Sequence, residues 1–260
     1  MASLASSWNH NHTVWSTKTL EEKNSMKSRI KTAIVASIAV ALISTNVLAA
    51  GGGKGRSGGN NRGGGSTGLD ANEASHLTFM REEEKLARDV YLRLGEWYPD
   101  QGVFNRIATT SEQTHTDTLR DKLAQYGLED PNPDTNNLPQ SLGVFTGEEW
   151  GWYFDEKFAA LTAAAAGSEL DALYIGAYIE ELDMHDIADC PKVMVDAGYN
   201  DPCGLNYTDE SGLINAYRSL VDGSENHLRA YVGQIEAVIG VGNYEAQYLS
   251  QEDVDAILSR

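Results

Sequence analysis

A chain of 260 residues with a formal net charge of -18 has room for one ordinary domain and some appendages. From Leu69 onward 36 acidic side chains stand against 12 basic ones, which repels phosphate backbones and anionic lipid heads and argues against nucleic-acid and peripheral-membrane binding. Solvation explains most acidic surfaces, and the same charge favours cationic partners, metal ions included.

Residues 1–25 are polar and read as a dispensable extension, with Met26 a better start than Met1. The segment "MKSRIKTAIVASIAVALISTNVLAA" (26–50) has a basic start at Lys27, Arg29 and Lys31, an apolar run, and small residues around Ala49. That is the layout of a signal peptide cleaved near Ala49 or Ala50, its apolar core being short for a membrane span. The expected location is therefore secreted or periplasmic. Residues 51–68, "GGGKGRSGGNNRGGGSTG", can bury nothing and read as a flexible linker. A helical domain is left over 69–260.

Within it, apolar residues recur at helical spacing in four long segments, and no strand-like alternation persists. The first helix is predicted over about 71–97, with Leu77, Met80, Ala87, Tyr91 and Leu94 in phase. The second covers about 103–126, with Ala108, Leu119, Leu123 and Tyr126 in phase and Gly127 placed as a cap. A long connection follows, loop-like at first and then a short helix to about 165, with Thr146 and Glu149 at capping-box spacing. The third helix opens at "SELD" and runs to about 189; the fourth runs from about 208 to 239. Short links within each pair and a long crossover between pairs describe a ferritin-like four-helix bundle, all-α, with an extra short helix in the crossover. Between the last two helices lie Cys190 and Cys203, the only cysteines. In an exported chain they are expected to form one disulfide.

Several polar groups fall on faces that should enter the core. Glu112 and His115 share the phase of Ala108 and Leu119, and a Glu and a His three apart on a helix can reach one ion. Glu84 lies in phase with Met80 and Ala87, while Glu83 shares a second apolar face with Phe79 and Leu86. In "IEELDMHDI" either Glu181 or Glu180 faces inward, and in "SENHLRAYV" His227 follows Leu220 and Ser224. Unpaired acids in a dry interior cost several kcal/mol, roughly, so something must neutralise them. The competing explanation is a closed salt-bridge network drawing on Arg81, Arg88, Lys122 or Arg229. His76, near the start of the first helix, is expected to be exposed, and the aromatic run "EEWGWYF" (148–154) to be packing.

The motifs "MREEEKLARDVY", "SEQTH", "YGLEDP", "IEELD" and "NHLRAY" resemble the ferritin-like family called domain of unknown function 2202, whose own activity is unsettled. The resemblance covers about Leu77 to Tyr231 and, through "YLSQEDVDAI", extends toward the C terminus. It implies a di-iron carboxylate site: a lone Glu from each of two helices and a Glu-x-x-His from each of two others. Carried over, Glu84, Glu112, His115, Glu181 and His227 become the metal ligands, with Glu83, Glu180, Asp183 and His185 as weaker candidates. The pattern breaks at Ser224, which stands where a Glu should precede His227. One bridging carboxylate is then missing unless Asp183, Asp186 or His185 substitutes.

The expected cofactor is iron, one or two ions, with manganese or zinc as alternatives. Whether the protein is an enzyme stays open; if so, it is a di-iron oxidoreductase, ferroxidase-like or peroxidase-like. The alternative is a non-catalytic binding or structural module of the cell envelope. Metal ions are the expected partners, a homodimer is compatible with the fold, and neither nucleic acid nor stable membrane insertion after cleavage is expected.

Overall fold

The computed structural model describes residues 68–199 and 202–259. The predicted extension, signal peptide and nearly all of the linker lie outside those residues. Among the described residues the chain is all-helical, without strands.

Helix α1 spans Ala71–Trp97 and opens with a capping box, the Asp70 side chain accepting from the Glu73 N–H while Glu73 returns the bond. Every residue from Phe79 to Tyr91 is buried, so α1 is enclosed on all sides and its charged side chains all need partners. Arg81 reaches Asp130 at 3.0 Å, Lys85 donates to the Ser141 carbonyl at 2.8 Å, and Arg88 donates to the Thr135 carbonyl at 2.9 Å. These bonds clasp the crossover loop onto the helix.

The second predicted helix is present but not uniform. Helix α2 (Gly102–Arg106) runs into a π-helical stretch, Ile107–Glu112, and then α3 (Gln113–Tyr126). Gly127 closes α3 in the left-handed conformation, φ 71°. The crossover helix α4 spans Gly151–Ala165 and starts at Trp150 without a side-chain cap, so the Thr146–Glu149 spacing forms no capping box. Phe154 and Trp150 from its aromatic run pack on Phe79, while Trp152 is exposed.

Helix α5 (Glu169–Ala188) is capped by Ser168, whose side chain accepts from the Asp171 N–H. A short helix α6 (Lys192–Asp196) lies in the loop that the Cys190–Cys203 disulfide closes. Helix α7 (Ser211–Ile239) and helix α8 (Gln251–Leu258) complete the chain. Helix α5 packs along α7, α1 packs along α3 and α4, and the two sets meet where α4 and α1 touch α5 and α3 touches α7. No described helix is long and apolar enough to cross a membrane.

His76 is not exposed as expected. It is fully buried, with Nδ1 2.8 Å from the Tyr217 hydroxyl and Nε2 2.8 Å from the Asp186 carbonyl. Helices α5 and α7 cover it, and burial lowers its pKa to about 4.

Candidate metal centre

The polar interior begins at the π-helical stretch. Its wider turn buries Ile107 and Glu112, five residues apart, on one side, and returns to α-helical spacing in time to bury His115, Thr116 and Leu119. Glu112 and His115 thereby project into the seam between the helix sets. There they meet Glu84 from α1, Glu180 from α5 and His227 from α7.

Glu112 joins the two halves. Its Oε1 lies 2.8 Å from His227 Nδ1 and its Oε2 lies 3.4 Å from His115 Nδ1. His115 Nδ1 is also 3.2 Å from Glu84 Oε2, and His227 Nδ1 is 3.2 Å from Glu180 Oε2. Two groups result, Glu84–Glu112–His115 and Glu112–Glu180–His227, in each of which one donor atom per residue lies within 4.8 Å of the others. Both imidazoles offer Nδ1 to the centre. All five residues are at most 6 % exposed.

Helical packing sets this geometry closely. A Cβ on Gly223 of α7 would sit 2.4 Å from His115 Nε2, so only glycine leaves room for the ring. The Tyr91 hydroxyl donates to Glu180 Oε1 at 2.5 Å and holds the carboxylate from behind. Next to Glu180 by one helical turn, Asp183 accepts from the Ser224 hydroxyl at 2.6 Å through Oδ2, while its Oδ1 is buried without a hydrogen-bond partner. Glu84 Oε1 is likewise buried and unpartnered.

Charge explains the electrostatics. Burial raises Glu84 to about 7, partly offset by His115. Burial also raises Glu180 and carries Asp183 well above its ordinary value, with Glu84 and Glu180 adding to the latter effect. For Glu112 burial is outweighed by His227 and His115, which hold its carboxyl below the usual range. Burial opposes charging of the imidazoles, yet Glu84 and Glu112 lift His115 to about 12, and Glu180 and Glu112 lift His227 to about 10. The four basic side chains of the competing salt-bridge explanation are engaged elsewhere: Arg81 with Asp130, Arg88 with Asp89, Lys122 with Gln125 and Arg229 with Glu225. Two imidazoles therefore face four carboxyl groups. The donor set of hard oxygens and imidazole nitrogen, with a carboxylate oxygen left unpaired on each side, fits a divalent transition metal.

The remaining sequence candidates stand apart. Of the adjacent pair on α5, Glu180 reaches the histidine and Glu181 does not. Glu181 Oε2 accepts from the backbone N–H groups of Gln247, Tyr248 and Leu249 at 2.8, 2.6 and 3.0 Å, and Oε1 from the Tyr244 hydroxyl at 2.7 Å. It anchors the C-terminal segment. Glu83 is buried on another side of α1, where burial and then Asp186 raise its pKa strongly and Lys157 offsets them. His185 is partly exposed and pairs with Asp186 at 2.7 Å. Tyr91, in phase with apolar Ala87 and Leu94, and Gly223 also shape the site, and neither carries a sequence pattern that would single it out.

The fold and site define an all-helical protein with buried carboxylate–histidine groups suited to a metal ion. The chain matches the uncharacterized protein domain DUF2202 over residues 73–260 and belongs to that family. It is 38 % identical over 191 residues to the uncharacterized protein MJ0754 of Methanocaldococcus jannaschii, covering 74 % of this chain and 89 % of that protein. The crystal structure of hypothetical protein MJ0754 from Methanococcus jannaschii superposes with a TM-score of 0.61 at 34 % identity, covering 78 % of this chain and 98 % of that one.

Proposed function

We propose that this is an exported ferritin-like protein that binds two metal ions, iron first and manganese or zinc as alternatives, between Glu84, Glu112, His115, Glu180 and His227. The observation that carries the reading is the shared carboxylate: Glu112 presents one oxygen to each histidine, with a further carboxylate beyond each. These residues would hold two adjacent ions, with Glu112 shared between them. The ferritin-like part rests on two helix sets joined by a long crossover and meeting at a polar seam.

Bound iron would supply redox chemistry toward dioxygen or peroxide. The chain's own residues do the rest. Glu112 fixes the spacing of the halves, Tyr91 orients Glu180, and Gly223 lets His115 approach. Export rests on the signal-like layout of 26–50 and is supported by the Cys190–Cys203 disulfide, which suits an oxidising compartment. A second reading, a non-catalytic envelope module, is favoured by Ser224 standing three before His227, where the other half has Glu112 before His115.

The test is anaerobic loading of the purified full chain with iron(II), metal analysis, then oxygen with near-ultraviolet recording. Two ions per chain and an oxo-bridged ferric band are expected. No retained iron would overturn the reading, and two inert ions would favour the module.

A further inference from the structure

The two halves of the centre correspond residue by residue, except at one place. Glu84 and Glu180 each lie 3.2 Å from one histidine. Glu112 stands three residues before His115, and Ser224 stands three before His227. Ser224 carries no charge, but its hydroxyl donates at 2.6 Å to Asp183 Oδ2 from the facing helix α5. Asp183 is three residues after Glu180 and so lies one turn along the same face. Its other oxygen is buried and has no partner, on a side chain 4 % exposed, in the electrostatic reach of Glu84, Glu180 and Glu112.

Resting on the di-metal reading above, we propose that Asp183, held by Ser224, is the second bridging carboxylate and completes the site for two divalent ions. Charge supplies the argument. Glu84, Glu112 and Glu180 bring three negative charges against the four positive charges of two divalent ions, and neutral imidazoles add none. A net positive charge left in a dry interior is costly. Asp183 cancels it. Of the other buried acids described nearby, Glu83 faces Asp186 and Lys157 as well as Asp183, and Glu181 is held by the C-terminal backbone. The carboxylate stands on α5 rather than on the histidine helix α7, and Ser224 of α7 orients it.

Manganese(II) titration of the full chain, read as ions bound per chain and their affinities, tests this with three variants checked for folding by circular dichroism. Wild type is expected to hold two ions. Asp183→Asn keeps the shape and the bond to Ser224 but not the charge, and should weaken the second ion at least ~100-fold while the first is retained. Asp183→Asn combined with Ser224→Glu restores a carboxylate on α7 and should recover the second ion. Ser224→Ala, the arm that stands if Asp183→Asn does not fold, should weaken the second ion ~10-fold. Two ions at unchanged affinity in either folded single variant overturns the proposal and leaves the di-metal reading intact. A wild type that holds one ion, or none, overturns both the proposal and the di-metal reading.

Discussion

Glu112 and His227, from different halves of the molecule, lie 2.8 Å apart at the centre of its interior. Because the other Glu112 oxygen faces His115, one side chain serves both candidate metal positions. Glu112→Gln keeps the volume and removes the charge. Uptake of both ions is expected to weaken by ~100-fold or more, as measured by dialysis and metal analysis. Intact uptake in a merely less stable protein would show that Glu112 is a structural acid.

Gly223 faces the His115 ring so closely that a methyl group would sit 2.4 Å from Nε2. Gly223→Ala must push His115 or α7 aside, at a cost of about 1–3 kcal/mol by the usual effect of overpacking. Thermal melts should show the loss and metal titration a weaker site. Wild-type stability and affinity together would mean the helices separate freely there.

Glu181 and Glu180 are neighbours with separate tasks. Glu181→Gln gives up charge-assisted bonds to the N–H groups of 247–249, worth about 1.5–3 kcal/mol for a hydrogen bond to a charged group. Faster proteolysis of the C-terminal segment is expected, with metal uptake unchanged. Glu180→Gln should do the reverse. Lost uptake in a stable Glu181→Gln protein would transfer the ligand role to Glu181.

His76 gives a pH dependence of known sign. Its folded pKa, lowered by burial to about 4 from 6.5, means that the unfolded chain binds the proton first as pH falls. The stability contributed by neutral His76 is complete above about pH 6.5 and is lost between there and about pH 4. A shift of that size corresponds to roughly 3 kcal/mol. Denaturant melts of wild type and His76→Gln should show wild type losing about that much more stability than the variant between pH 6.5 and pH 4. A constant difference would show that His76 titrates normally.

The helices and the inward Glu84, Glu112, His115 and His227 were legible because each keeps step with apolar neighbours at helical spacing. The π-helical stretch was not, since one extra residue per turn leaves no mark in "IATTSE". Glu180 and Glu181 could not be told apart because α5 is buried on nearly every side, so both lie on apolar faces. The fate of Glu181 depends on backbone N–H groups more than sixty residues away, and the Asp183–Ser224 bond joins two helices. His76 looked exposed because its partners, Tyr217 and the Asp186 carbonyl, come from helices that periodicity does not place in space. Charge patterning showed that acids are buried; packing decided which of them meet.

The most direct measurement is anomalous X-ray scattering at the iron edge from crystals of the full chain grown with iron(II) without oxygen. The account predicts two peaks on either side of the Glu112 carboxylate, one bonded to His115 Nδ1 and Glu84 and the other to His227 Nδ1 and Glu180. Peaks confined to the acidic surface, with Glu112 still paired only to the two imidazoles, would contradict it.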